Sequence, residues 1–171
     1  ACRDTPSEAH DEVAPVVTAT TESTCGEQGI LQGTLSGAIN ASLDWPDAAL
    51  RCESMLRPNA EGVRLRLSGD VAGERVAIII ATPDLEPGAT GTEFRSNVTI
   101  SVEGSGRFFS TPNLETCWTD VAKNEPLEET PDTHLVVGDV YCVGPLGEVN
   151  GNAFVDVSNL RFVSVADWTV K

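Results

Sequence analysis

The sequence predicts an all-β domain, an antiparallel β-sandwich or flattened barrel of about eight strands stapled by two disulfides. Three observations carry this. Residues alternate with a period of two from Leu31 to Trp45, mostly apolar at odd positions and mostly polar at even ones. Short apolar, β-branched segments recur at close intervals between turn signals. Four cysteines, Cys25, Cys52, Cys117 and Cys142, lie beside those segments.

In the first segment the odd positions (Leu31, Leu35, Ile39, Leu43 and Trp45 among them) are mostly apolar, whereas the even ones run Gln32, Thr34, Ser36, Ala38, Asn40, Ser42 and Asp44. A period of two puts one side against a core and the other in water, which is strand geometry. Gly33 and Gly37 on the inward side point to close packing, a bulge or a bend. Pro46 to Cys52 reads as one or two helical turns. Val63, Leu65 and Leu67 alternate with Arg64 and Arg66. Val76 to Ala81 is continuously apolar, as in a central strand covered on both sides. Phe94, Val98, Ile100 and Val102 share one parity, and further strands are expected at 107–111, 135–143, 153–157 and 160–168. Ser68-Gly69-Asp70, Pro87-Gly88, Gly104-Ser105-Gly106 and Asn150-Gly151 punctuate the series. Asn150-Gly151 suits the positive φ angles of a tight hairpin, so the segments flanking it should pair. Asp120 to Glu129 is polar and contains Pro126, which argues for a loop.

Residues 1–28 read as a tether, and 29–171 as a single domain large enough to bury its own core. The tether is rich in Thr, Ser, Glu and Pro with no hydrophobic period, so it buries too little apolar surface to offset its ordering entropy. The longest apolar run, Val76 to Ala81, is far short of the ~20 residues of a membrane-spanning helix.

The net charge of −15 disfavours nucleic acid and anionic lipid headgroups as partners. With no C-x-x-C pair and only His10 and His134 as imidazoles, the cysteines read as disulfides of an oxidising compartment rather than zinc ligands. Joining neighbours gives Cys25–Cys52 and Cys117–Cys142; two other connectivities are equally open to four cysteines.

Catalytic machinery is sparse. His134 is the one histidine inside the predicted domain and reads as an exposed residue at a strand start, and no G-x-S-x-G elbow supplies a nucleophile. No catalytic residue, metal ligand set or cofactor is assigned, and a hydrolase is the least favoured class. Calcium is the remaining candidate cofactor. Its nearest oxygen groupings (Glu125, Glu128, Glu129 and Asp132; Asn150, Asn152 and Asp156) lack EF-hand spacing and read as a solvated loop and a turn.

Cys2 stands apart from the other four, at the front of the polar tail. The pair Ala1-Cys2 followed by a flexible Thr/Ser/Glu linker resembles a processed bacterial lipoprotein. That resemblance implies acylation of Cys2, attachment to a membrane through the lipid, and display from the outer membrane or surface toward the periplasm or exterior. Arg3 is not the aspartate associated with inner-membrane retention in that family.

The expected function is therefore that of a non-enzymatic, envelope-anchored domain that binds a protein or another envelope component. A secreted carbohydrate- or calcium-binding module is the alternative. The expected ligand surface gathers Arg107, Phe108 and Phe109 with Trp118 and Tyr141, the last two brought together if Cys117 pairs with Cys142. Phe108 and Phe109 cannot both face the core of a regular strand.

Overall fold

The computed structural model describes residues 22–170. Cys2 and most of the tether lie outside the described residues. The domain is all-β, with one antiparallel sheet of eleven strands: β1 (Ile30–Gly37), β2 (Ala41–Pro46), β3 (Arg51–Ser54), β4 (Val63–Val71), β5 (Glu74–Thr82), β6 (Gly91–Val102), β7 (Arg107–Ser110), β8 (Cys117–Pro126), β9 (Thr133–Cys142), β10 (Leu146–Glu148) and β11 (Phe154–Asp167).

The strand order is β2-β1-β11, then β9 and β10 end to end along one side of β11, then β8 and β7 end to end along one side of β6, then β5-β4-β3. The sheet curls until its ends meet. Trp45 of β2 covers Gly69 of β4 and donates its indole N–H to the Asp70 carbonyl at 3.3 Å, while the Asp167 amide of β11 bonds the Ser54 hydroxyl of β3 at 2.7 Å. Inside lie Leu31, Leu35, Leu65, Leu67, Ile78, Ile80, Ile100, Phe109, Leu160 and Phe162, all essentially fully buried. Both disulfides are present, Cys25–Cys52 and Cys117–Cys142. The first draws residues 23–29 into the domain: Ser23 bonds Asp47, the Cys52 amide bonds Thr24, and Cys25 is buried.

Several local expectations are corrected. The long alternation is a hairpin, β1 and β2, joined through Ala38 to Asn40. The expected helical turns shrink to a 3₁₀ turn at Asp47–Ala49, with Arg51 and Cys52 already in β3. The two segments at 153–157 and 160–168 are one strand, β11, bulged where Asn159 takes φ 39° opposite Gly33. A side chain at Gly33 would meet Leu160 at 2.6 Å, so the bulge needs glycine there.

The largest correction concerns 120–129. Residues through Pro126 form β8, paired along its length with β9, and Cys117–Cys142 staples these two strands. Pro126 ends the strand, where a missing N–H does least harm. The Asn150-Gly151 hairpin is present, with Asn150 at φ 59° and β10 paired to β11. His134 does begin a strand but is buried, at 9% exposure. Its Nδ1 lies 2.9 Å from the Asn124 side-chain oxygen, and Trp168 packs edge-on against its ring.

Candidate functional site

The register of the β6–β8–β9 region builds one outward-facing row. Cys117 faces Cys142 directly, with Cα atoms 4.1 Å apart, and both point inward. The next pair along, Trp118 and Tyr141, therefore points outward. Across β6 the partner of Trp118 is Arg95, giving the row Arg95–Trp118–Tyr141. The two rings are nearly parallel, 25° apart with centroids at 5.8 Å, an offset stack of the kind aromatic pairs favour. Both residues are half-buried. The disulfide one position away fixes their strands in register and holds the stack in place.

Polar groups border the aromatic pair. Arg95 is ion-paired with Asp84 at 3.0 Å. The Asp120 carboxylate accepts the Glu93 amide at 2.9 Å, and Asp139 stands directly opposite Asp120 on β9, with Arg161 of β11 on its other side. Like charges directly opposite on a sheet oppose pairing, and Arg161 beside Asp139 offsets that repulsion. Burial, then the negative field of Glu93 and Asp120, holds the Tyr141 phenol above its ordinary pKa. It remains a hydroxyl donor across the physiological range. The row thus offers aromatic faces, an indole N–H, a phenol O–H and carboxylate acceptors at one place.

The other expected surface residues are distributed differently. Phe109 is fully buried in the core, and Phe108 points outward at 46% exposure. Arg107 lies over the Phe109 ring at 5.0 Å and forms a two-pronged ion pair with Glu148. Phe108 stands beside Val149, whose amide bonds the Phe108 carbonyl at 2.8 Å. The expected five-residue surface is therefore divided: Trp118 with Tyr141 on β8 and β9, Phe108 on β7 beside Val149 in the turn after β10, and Phe109 in the core. Arg95 and Asp139 meet Trp118 and Tyr141 only through strand register, and Asp120 lies in a segment whose polar composition and Pro126 read as a loop. The alternation of Cys117, Thr119 and Val121 with Trp118 and Asp120 was the signal that marked it as strand.

Among the described residues no cluster of three or more His, Cys, Asp or Glu side chains is arranged to hold a metal ion. No Asp or Glu is among the buried residues described. The bond from Arg107 holds the Glu148 carboxyl below its ordinary pKa.

Fold and site together define a disulfide-stapled all-β domain that presents a locked aromatic pair ringed by polar groups on its outer surface. Compared with known protein families, curated proteins and solved structures, the chain matches none.

Proposed function

We propose that this chain is a non-enzymatic binding module of a bacterial cell envelope, tethered through lipidated Cys2, and that its Trp118–Tyr141 face engages an envelope glycan. The outward aromatic stack carries the reading. A sugar ring lays its C–H face on an aromatic surface while its hydroxyls seek donors and acceptors at the rim, and Asp120, Asp139 and the Tyr141 hydroxyl supply those. A face fixed by a neighbouring disulfide gives up little entropy on binding. The lipid anchor rests on separate support: Cys2 is the fifth cysteine, outside both disulfides, and it precedes a polar tail.

The two parts have separate tests. Intact mass of the protein extracted from its native membrane should carry a diacyl or triacyl adduct on Cys2; an unmodified cysteine in the soluble fraction removes the anchor. Affinity electrophoresis through gels containing envelope polysaccharide should retard the protein, and Trp118→Ala should abolish the retardation. Equal mobility of both proteins removes the glycan assignment.

A further inference from the structure

We infer that a second subsite, a trough on the outer side of β4, β5, β6 and β7, takes a carboxylate-bearing sugar residue such as a uronate. The inference borrows its ligand class from the glycan reading, but its observations are separate. On this side of the sheet the cross-strand pairs run Arg64–Ala81–Asn97 and Arg66–Ile79–Thr99–Ser110. The small side chains of Ala81, Thr99 and Ser110 leave a depression of about 270 Å³, with Arg64 and Asn97 on its walls. It lies below the roughly 300–1,000 Å³ of drug-sized ligand sites, and so matches a single ring.

The polar groups lining it keep hydrogen-bonding capacity that the domain does not use. The guanidinium of Arg64 makes one long bond, 3.5 Å to the Leu56 carbonyl, and has no carboxylate within 4 Å among the described residues. Arg66, Arg75, Arg95, Arg107 and Lys123 each have one, whereas Arg51, Arg57 and Arg161 resemble Arg64 in this respect, with Arg57 satisfied by three carbonyls. Asn97 accepts from the Thr111 hydroxyl through its side-chain oxygen at 3.0 Å, and its amide nitrogen has no acceptor among the described residues. The Thr99 and Ser110 hydroxyls bond each other at 3.1 Å and keep further capacity. No acid lines this depression, in a chain with 26 acids and 11 bases.

Unused donors, a guanidinium and no competing anion fit a carboxylate held by a two-pronged bond from Arg64. The ring hydroxyls then meet Asn97, Thr99 and Ser110, and its apolar face rests on Ile79 and Ala81. The chain's overall negative charge does not prevent this, because charges farther than about 8 Å are screened at physiological salt. Asn97 is two positions from Arg95 on the same side of β6, so the trough adjoins the aromatic row.

Calorimetric titration of the full chain with D-glucuronate and D-galacturonate, against D-glucose and D-galactose, tests the subsite. At least one uronate should bind ten-fold or more tighter than its neutral counterpart. Arg64→Gln should erase that preference with unchanged melting temperature, Asn97→Ala should weaken uronate and neutral sugar alike, and Trp118→Ala should leave the preference in place. Sugar binding with no uronate preference, or a preference that survives Arg64→Gln, overturns the subsite but not the glycan reading. No binding of any of these sugars, together with unretarded migration in polysaccharide gels, overturns both. Binding of an acetylated peptide through its C-terminal carboxylate instead of uronate also overturns the subsite.

Discussion

Arg107 and Glu148 grip each other through two parallel hydrogen bonds, Nε to Oε1 at 2.9 Å and Nη2 to Oε2 at 3.1 Å, and so clamp β7 to β10. The same carboxylate accepts the Ala153 amide at 3.3 Å, which ties the clamp to the Asn150-Gly151 turn. The bond from Arg107, against an opposing effect of burial, holds the Glu148 pKa below the ordinary 4.5. A carboxyl lowered by folding stabilises the native state fully above its unfolded value, and that stabilisation is lost as pH falls through the lowered folded value. Glu148→Gln should therefore lower the melting temperature at pH 7. The gap to wild type should narrow once the pH drops below about 4.5 and close at lower pH. A gap constant with pH would mean that the clamp is not electrostatic.

Gly69 lies under Trp45, and a Cβ there would stand 2.6 Å from the indole ring. Gly69→Ala should destabilise the domain by roughly 1–3 kcal/mol, the usual range for overpacking. It acts by pushing β2 away from β4, where the curled sheet closes. Chemical denaturation measures the loss.

The Asn124 side-chain nitrogen donates to the carbonyls of both Glu86 and Ala89 at 3.0 Å, so its oxygen must accept from His134. Neutral His134 should thus carry its proton on Nδ1, which ¹⁵N shifts of the imidazole read directly. Asn124→Ala strands the Ala89 carbonyl and a ring N–H, while the Glu86 carbonyl keeps its bond from the Ala89 amide. Each stranded buried group costs about 1–3 kcal/mol, and the amides of the 83–90 segment should lose hydrogen-exchange protection first.

Each disulfide closes a loop of similar length, 27 and 25 residues apart in sequence. Chain-entropy reasoning assigns each about 3–4 kcal/mol. Their functional effects should differ. Replacing Cys117 and Cys142 by alanine should weaken ligand binding beyond the stability loss, because Trp118 and Tyr141 are their immediate neighbours. Replacing Cys25 and Cys52 should cost stability alone. Melting curves and titrations on both double variants separate the two effects.

The fold was legible wherever alternation met burial simply. Leu65, Leu67, Val98, Ile100 and Val102 all face inward as their parity requires. The β1–β2 hairpin was hidden because its partners have equal parity: Leu31 faces Trp45, Gly33 faces Leu43 and Leu35 faces Ala41. The inward pattern therefore passes through the turn unbroken. In β8 the register shift between Val121 and Lys123 breaks the period, and the inward residue beyond it is the polar Asn124, so the segment reads as loop. His134 read as exposed because its cover, Asn124 and Trp168, comes from sequence-distant elements. At the candidate site, Trp118 and Tyr141 were legible from their cysteine neighbours, whereas Arg95, Asp120 and Asp139 join them only through strand register.

The most direct test of the central claim is the response of the three indole N–H signals in a ¹⁵N-correlated NMR spectrum during titration with an oligosaccharide fragment of the envelope polysaccharide. Trp118→Ala, Trp45→Phe and Trp168→Phe assign them. A glycan engaging the outer face should shift the Trp118 signal progressively and leave buried Trp45 and Arg57-covered Trp168 in place. Saturable binding that leaves the Trp118 signal unmoved would contradict the assignment of this face as the ligand surface.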